Sequence, residues 1–220
     1  MTMGGLDEAE GADGSARAAG QAARRLAILE AAKQVFFDEG YPLASMDRIA
    51  ERAGTTKRTV YGYFPNKEAL FGDVVAKACA SVVDQLPEPG QLPDGAREGL
   101  LAFARASTAL MTSPSCIKLE RLIVAEAERH PRFAATLAQA FEAGEAKLAA
   151  YLERLIAGGR LKPHDAALGA RLFANAIGQP PDLRTLLTLE PDADERARAD
   201  RAIETAVSGY LGAYGVEAGA

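Results

Sequence analysis

The chain has 220 residues, 25 Lys and Arg against 30 Asp and Glu, a formal net charge of −5 and a pI near 5.2. An apolar fraction of 48% and a charged fraction of 25% are those of a chain that packs a core, which excludes wholesale disorder and a collagen-like fibre. No apolar run approaches the ~18 residues of a membrane-spanning helix, and the acidic, Gly/Ala-rich stretch Met1 to Gly20 lacks the basic and apolar regions of a signal peptide. No membrane partner is expected, and an acidic protein read globally is a poor ligand for nucleic acid.

Residues 1–19 carry one Arg against four acids and read as a disordered acidic tail. From Gly20 to Glu39 the apolar residues Ile28, Leu29, Ala32, Val35 and Phe36 recur at three and four, one stripe of a helix. Gly40 fits a left-handed C′ position and Pro42 prevents continuation. Ser45 is an N-cap for a short helix from Met46 to Ala53, with Asp47 near its positive end. Gly54 permits a tight turn, Thr56 caps a third helix from Lys57 to about Tyr63, and Pro65 stops it. Asn66 caps a fourth helix from Lys67 to about Leu86. After the turn cluster Pro87–Pro93 the pattern predicts helices at about 94–112, 115–129, 131–157, 163–178 and 193–214, punctuated by Pro114, Pro131, Pro163 and Pro180–Pro181. Neither an alternating strand pattern nor an internal repeat is present, so the fold class is all-α.

Residues 46–63, MDRIAERAGTTKRTVYGY, have the layout of a helix-turn-helix. Two short helices that cross closely need small residues at the contact and glycine in the turn. Ala50, Ala53 and Gly54 supply these, and Ile49 and Val60 the apolar pins. The second helix opens with Thr56, Lys57, Arg58 and Thr59. In this motif those N-terminal positions meet base edges in the major groove, where Lys and Arg donate to guanine and Thr meets a thymine methyl or a phosphate. Tyr61 and Tyr63 place phenolic donors beside Lys67, itself at a helix N-terminus that favours anions. A merely solvated helix face is the bland alternative for Lys57 and Arg58, and these flanking donors weigh against it.

The first helix, RRLAILEAAKQVFFDEG, followed by MDRIAERAGTTKRTVYGYFPNKEALFGDVV, resembles the DNA-binding domain of the tetracycline-repressor (TetR) family over residues 24–75. The core KRTVYGYFPNKEALF, with its spacing of Tyr61, Phe64, Lys67 and Leu70, carries the resemblance. It implies that Lys57, Arg58 and Thr59 face bases, that Tyr61, Tyr63 and Lys67 grip phosphates with help from Ser45, Thr55 and Thr56, and that Phe64 closes the three-helix core. Val60 stands where Leu is commoner, and Gly62–Tyr63 where a bulkier residue and His are frequent, departures that bear on the operator sequence.

The resemblance further implies a helix-turn-helix domain over 20–66 and a larger helical domain over 67–220 that binds a small-molecule effector and forms a homodimer. A homodimer reads a palindromic operator in double-stranded DNA because two recognition helices then lie one turn apart. The regulator is expected to be a cytoplasmic, nucleoid-associated repressor, released from DNA when the effector shifts the dimer between states, with helix 67–86 as the lever. Ile203, Val207, Tyr210 and Tyr214 are spaced like an a/d seam, and with Leu168, Leu172 and the small residues of 166–174 they form the expected dimer interface, although an intramolecular core explains the same pattern. Cys116 to Gly144 resembles the C-terminal part of AefR-like regulators. Candidate pocket residues are Phe103, Leu110, Met111, Leu122, Phe141, Phe173 and Ile177, each also readable as plain core. Glu120, Arg121 and Glu126 are able to orient a polar ligand, but read first as ordinary charges on a solvent-facing helix surface.

Two cysteines, Cys79 and Cys116, and two histidines fall short of a structural metal site, so neither metal nor cofactor is expected, and both thiols read as buried. No nucleophile–base set or phosphate-cradling loop can be assembled, which argues against an enzyme. The remaining alternative is a helical ligand-binding or scaffold protein whose helix-turn-helix no longer reads DNA. Local charge counts against it. Residues 20–77 are net +2 while 1–19 are net −3, and residues 55–67 hold Lys57, Arg58 and Lys67 with no acid.

Overall fold

The computed structural model describes residues 7–178 and 193–216, with side chains over 17–178 and 197–216. Nine α-helices lie among the described residues: α1 Asp7–Leu43, α2 Met46–Arg52, α3 Lys57–Tyr63, α4 Lys67–Gln85, α5 Ala96–Met111, α6 Pro114–Glu126, α7 Pro131–Ala157, α8 Ala166–Ala176 and α9 Ala193–Tyr214. A 3₁₀ turn occupies Pro89–Gln91, and the described residues contain no strand, only an isolated bridge between Leu161 and Gly215. The Pro180–Pro181 break falls outside the described residues.

Helix limits follow the local signals. The side chains of Ser45, Thr56, Asn66, Ser113 and Asp165 accept hydrogen bonds from backbone N–H groups three residues on, at 2.7–3.3 Å, each satisfying an orphan donor of a first turn. Gly40 interrupts the helical backbone of α1 at φ 77°, and Gly54 turns between α2 and α3 at φ 61°. The structure differs upstream: α1 begins at Asp7, so most of the expected tail is helical. Ala and Glu, among the strongest helix formers, dominate there. The residues from 17 to 27 remain exposed, and packing starts at Ile28.

The chain divides into two compact units, Met1–Val75 and Ala76–Ala220. The division lies nine residues beyond the expected boundary at 66, because the first turns of α4 belong to the first core. Leu70 and Phe71 are fully buried, and the Phe71 ring meets Phe36 edge-on at 4.8 Å and Tyr41 at 4.9 Å. Ile28, Val35, Ile49, Val60 and Phe64 complete this core, each at most 1% exposed.

In the second unit α7 packs on α6 and α8, and α9 on α5 and α8. Leu100, Phe103, Leu148, Tyr151, Leu152, Phe173, Ile203 and Val207 form its centre. Close approach is built in at two glycines. A Cβ on Gly99 would lie 1.7 Å from Tyr151 Oη, and one on Gly169 would lie 2.5 Å from Tyr210 Oη. Tyr151 in turn donates to the carbonyls of Pro93 and Gly95 (2.9 and 3.1 Å), and Arg154 donates to that of Leu92, tying the segment before α5 to α7.

Two expectations for this unit are corrected. Ile203, Val207 and Tyr210 are 2%, 0% and 8% exposed within the chain's own core, so they are already occupied and cannot meet a second chain. Tyr214 is half-buried, stacked on His164 at 4.0 Å. Phe103, Phe173 and Ile177 are buried in the same core and are not among the residues that line the cavity between α4 and α7.

Candidate nucleic-acid interface and an apolar cavity

Helix α3 is fixed from both ends. Thr56 Oγ1 accepts from Thr59 N–H, and the two hydroxyls lie 2.9 Å apart; Val60 is fully buried against the core. With the apolar side inward, Lys57 and Arg58 are exposed, Thr59 half-buried and Tyr61 exposed at 45%, while Tyr63 and Thr55 are half-buried. Ser45 and Thr56 accept backbone N–H groups as helix caps, the Thr56–Thr59 pair spends one of its two hydroxyl protons on the bond between them, and the Ser45 proton and the other of the pair stay available to a ligand.

The charged groups are less free than the sequence suggests. Lys57 Nζ lies 2.8 Å from Asp47 Oδ1 and 3.0 Å from Oδ2, and this hydrogen-bonded carboxylate holds the ammonium above the ordinary lysine value. Arg48 pairs with Glu39 at 2.9 Å and Arg52 with Asp38 at 3.1 Å. Arg58 has no such partner among the described residues and presents its whole fork outward. The sequence reading placed Asp47 at the positive end of α2 but did not pair it with Lys57, ten residues on, because only the turn at Gly54 brings the starts of α2 and α3 together.

Lys67 is a correction. Its three donors meet three carbonyl oxygens, those of Tyr41 (2.8 Å), Ala44 (3.1 Å) and Pro42 (3.2 Å), and its ammonium sits 4.6 Å from the Tyr41 ring centre. An ammonium has three donors and no more, so none is left for a phosphate in this arrangement. Lys67 instead caps the orphan carbonyls where α1 ends. The signal available in the sequence was the break at Gly40–Pro42, which leaves those carbonyls without helical donors.

Within the second unit α4, α5, α6 and α7 enclose a cavity of about 50 Å³. Its lining is almost wholly apolar: Val82, Val83 and Leu86 from α4 and its end, Met111 from α5, Leu119 from α6, and Leu137, Ala140, Phe141 and Gly144 from α7. Of the candidate pocket residues Met111 and Phe141 face it; Leu110 and Leu122 are half-buried elsewhere. Three lining groups titrate. Cys79 is buried and Cys116 half-buried; burial, with the neighbouring Cys116, pushes the Cys79 thiol up to about 11. Glu120 is only 7% exposed, and burial pushes its carboxyl up to about 7. Glu126, 4% exposed, is also buried, at 3.9 Å from Arg129. Both glutamates were expected on a solvent-facing surface. Lys147 closes the nearby end of α4, donating to the carbonyls of Val83 (2.8 Å) and Leu86 (3.4 Å) and pairing with Glu88 at 2.6 Å.

A tight helix-turn-helix with an outward-facing, unpaired arginine at the start of its second helix defines the first unit as a DNA-reading module, carried by a chain whose second unit is an all-helical body with its own cavity. Comparison with known proteins specifies the class. Residues 28–74 match the family described as bacterial regulatory proteins of the tetR family, and residues 98–216 match the AefR-like transcriptional repressor C-terminal domain. The chain belongs to the TetR family of bacterial transcriptional regulators. It is similar to the HTH-type transcriptional activator FasR of Mycolicibacterium smegmatis, 35% identical over 83 residues, a match that spans 38% of either chain. A TetR-family regulator from Mesorhizobium loti MAFF303099 has a similar structure (28% identity, TM-score 0.79, 89% of this chain and 98% of that one), as does the flavonoid-responsive regulator FrrA (30% identity, TM-score 0.73, 90% and 100%). Among the described residues no helix is long and apolar enough to cross a membrane.

Proposed function

We propose that the chain is a homodimeric repressor that binds a palindromic operator and is released when a small molecule occupies the cavity between α4 and α7. The observation that carries the DNA-reading part is the exposed, unpaired Arg58 beside Lys57 and Thr59 on α3. Arg58 donates to a guanine edge. Lys57 exchanges Asp47 for a base or phosphate, and Tyr61 and Tyr63 hold the backbone, with Ser45, Thr55, Thr56 and Thr59 as hydroxyl donors. Repression is supported by the AefR-like repressor match over the second unit.

The dimer reading rests on α8. Leu168 and Leu172 are 54% and 53% exposed, one turn apart on the face opposite its buried residues. On α9 the exposed positions include Ala202, Thr205, Gly209 and Ala213, small enough for another helix to approach closely. The effector reading rests on the cavity and on the responsiveness to flavonoids named for FrrA. Helix α4 contributes Leu70 and Phe71 to the first core and Val82, Val83 and Leu86 to the cavity, which makes it the element by which occupancy biases DNA affinity. The site of action would be the chromosome in the cytoplasm.

Titration of labelled upstream DNA in fluorescence anisotropy tests the reading. The wild type forms a specific, salt-sensitive complex, and Lys57→Ala/Arg58→Ala weakens it by tenfold or more. Absence of any such complex returns the chain to the alternative, a helical scaffold with a vestigial helix-turn-helix.

A further inference from the structure

Glu120 is anomalous for its position. It lies in the middle of α6, 7% exposed, and lines the apolar cavity with no hydrogen-bond or ion-pair partner among the described residues. A carboxyl placed so is costly to keep charged, and native proteins leave such groups unpaired where a ligand completes them. No cationic side chain lines the cavity. The titratable groups facing Glu120 are the thiols of Cys79 on α4 and Cys116 on its own helix; α5 and the cavity-lining part of α7 present none. Lys147, one turn beyond the lining residue Gly144 on α7, directs its donors at Val83, Leu86 and Glu88. The cavity therefore combines one buried acceptor of latent negative charge with walls that reward apolar contact.

We propose that Glu120 is the recognition group of this cavity and that the ligand it selects is a small hydrophobic cation, an ammonium group on a short apolar body. The inference rests on the effector reading above and names its chemical class. A cation completes the carboxylate with a charge-assisted hydrogen bond and the apolar body fills the space between Leu86, Leu137 and Phe141. The volume of about 50 Å³ limits the enclosed part, at ~10–15 Å³ for each water-sized unit, to a few heavy atoms. Neutral alcohols and phenols of the same shape gain the apolar contact without the charge. Because the carboxyl must be ionised to receive a cation, selectivity falls as the solution is acidified.

The test uses matched probes on the full-length protein: n-butylammonium and 1-butanol, titrated at fixed ionic strength and followed by methyl NMR shifts. At pH 8 the ammonium binds at least tenfold more tightly than the alcohol, the preference shrinks by pH 5.5, and Glu120→Gln reduces it to within twofold. Equal affinities in the wild type, a preference that survives Glu120→Gln, or no binding of either probe overturns the proposal. Should the variant fail to fold, the wild-type ratio and its pH dependence decide. Operator affinity measured with the same probes separates the two readings. An ammonium preference that depends on Glu120 but leaves DNA binding unchanged removes the effector role and keeps the inference; release by butanol alone does the reverse.

Discussion

Replacing Glu120 by Gln removes a buried charge at nearly constant shape, and its effect on stability has a defined pH dependence. Burial raises the carboxyl from 4.5 to about 7 in the folded chain. The folded state therefore binds the proton more tightly than the unfolded state. Stability linked to this group is fully present below pH ~4.5, is lost steadily as pH rises toward ~7, and stays lost above it. A shift of about 2.5 units at 1.36 kcal/mol each corresponds to about 3 kcal/mol at full expression, of which about 2 kcal/mol separates pH 5 from pH 8. Glutamine has no such dependence, and its unpartnered amide costs about 1 kcal/mol at every pH. The expectation is that wild type and Glu120→Gln have similar stability near pH 5, and that the variant is the more stable by about 1–2 kcal/mol at pH 8. Urea unfolding followed by far-ultraviolet circular dichroism, at one protein concentration because association shifts apparent stability, measures this at several pH values. Parallel stability curves for the two proteins from pH 5 to pH 8 would refute the burial argument.

Asp47→Asn removes the partner of Lys57 and leaves the helix in place, so affinity for arbitrary duplex rises and the salt slope steepens by up to ~0.9 for one added phosphate contact; unchanged anisotropy titrations would show that the Asp47 pairing does not withhold Lys57 from DNA. Lys67→Met leaves three carbonyls uncapped and lowers stability by about 1–3 kcal/mol, while the salt slope of operator binding changes by less than the ~0.9 of a phosphate contact. A full unit of slope lost with unchanged melting temperature would restore the phosphate role. Gly99→Ala drives a Cβ to 1.7 Å from Tyr151 Oη and costs about 2–4 kcal/mol in chemical denaturation, whereas Gly62→Ala, with nothing within 4 Å, stabilises exposed α3 by about 0.5–1 kcal/mol. Leu168→Glu/Leu172→Glu converts the proposed dimer to monomers in analytical ultracentrifugation with little change in helical content; a surviving dimer would move the interface off α8.

The DNA-reading unit was legible because its determinants are local. Ser45, Thr56 and Asn66 cap the helices that follow them, Gly54 turns where a left-handed residue is needed, and α3 runs from Lys57 to Tyr63 as its flanks dictate. The charge distribution was legible too, but the pairing of charges was not. Lys57 with Asp47 and Lys67 with the Tyr41 carbonyl join residues 10 and 26 positions apart, and only the fold supplies those distances. The second unit shows the complementary limit. The spacing of Ile203, Val207 and Tyr210 identifies an apolar face of α9 without saying which surface covers it, and the chain's own α5 and α8 do so. Glu120 looked like an exposed charge on a helix because its burial depends on how α4, α5 and α7 fold over α6, which the spacing within α6 does not report.

The ion pairs around α2 and α3 also bear on how such a protein searches. Arg48, Arg52 and Lys57 each hold a carboxylate of their own chain, so in the unbound state three of the local cations are largely neutralised. Attraction to random duplex grows with the number of phosphates neutralised. A surface of internally matched charges therefore lingers less on the millions of competing genomic positions. Exchanging an internal carboxylate for a phosphate or a guanine is favourable only where several partners arrive in register. The acids that make the whole chain look unsuited to DNA would thus raise the ratio of correct to incorrect residence, with Arg58 left free to make the first contact.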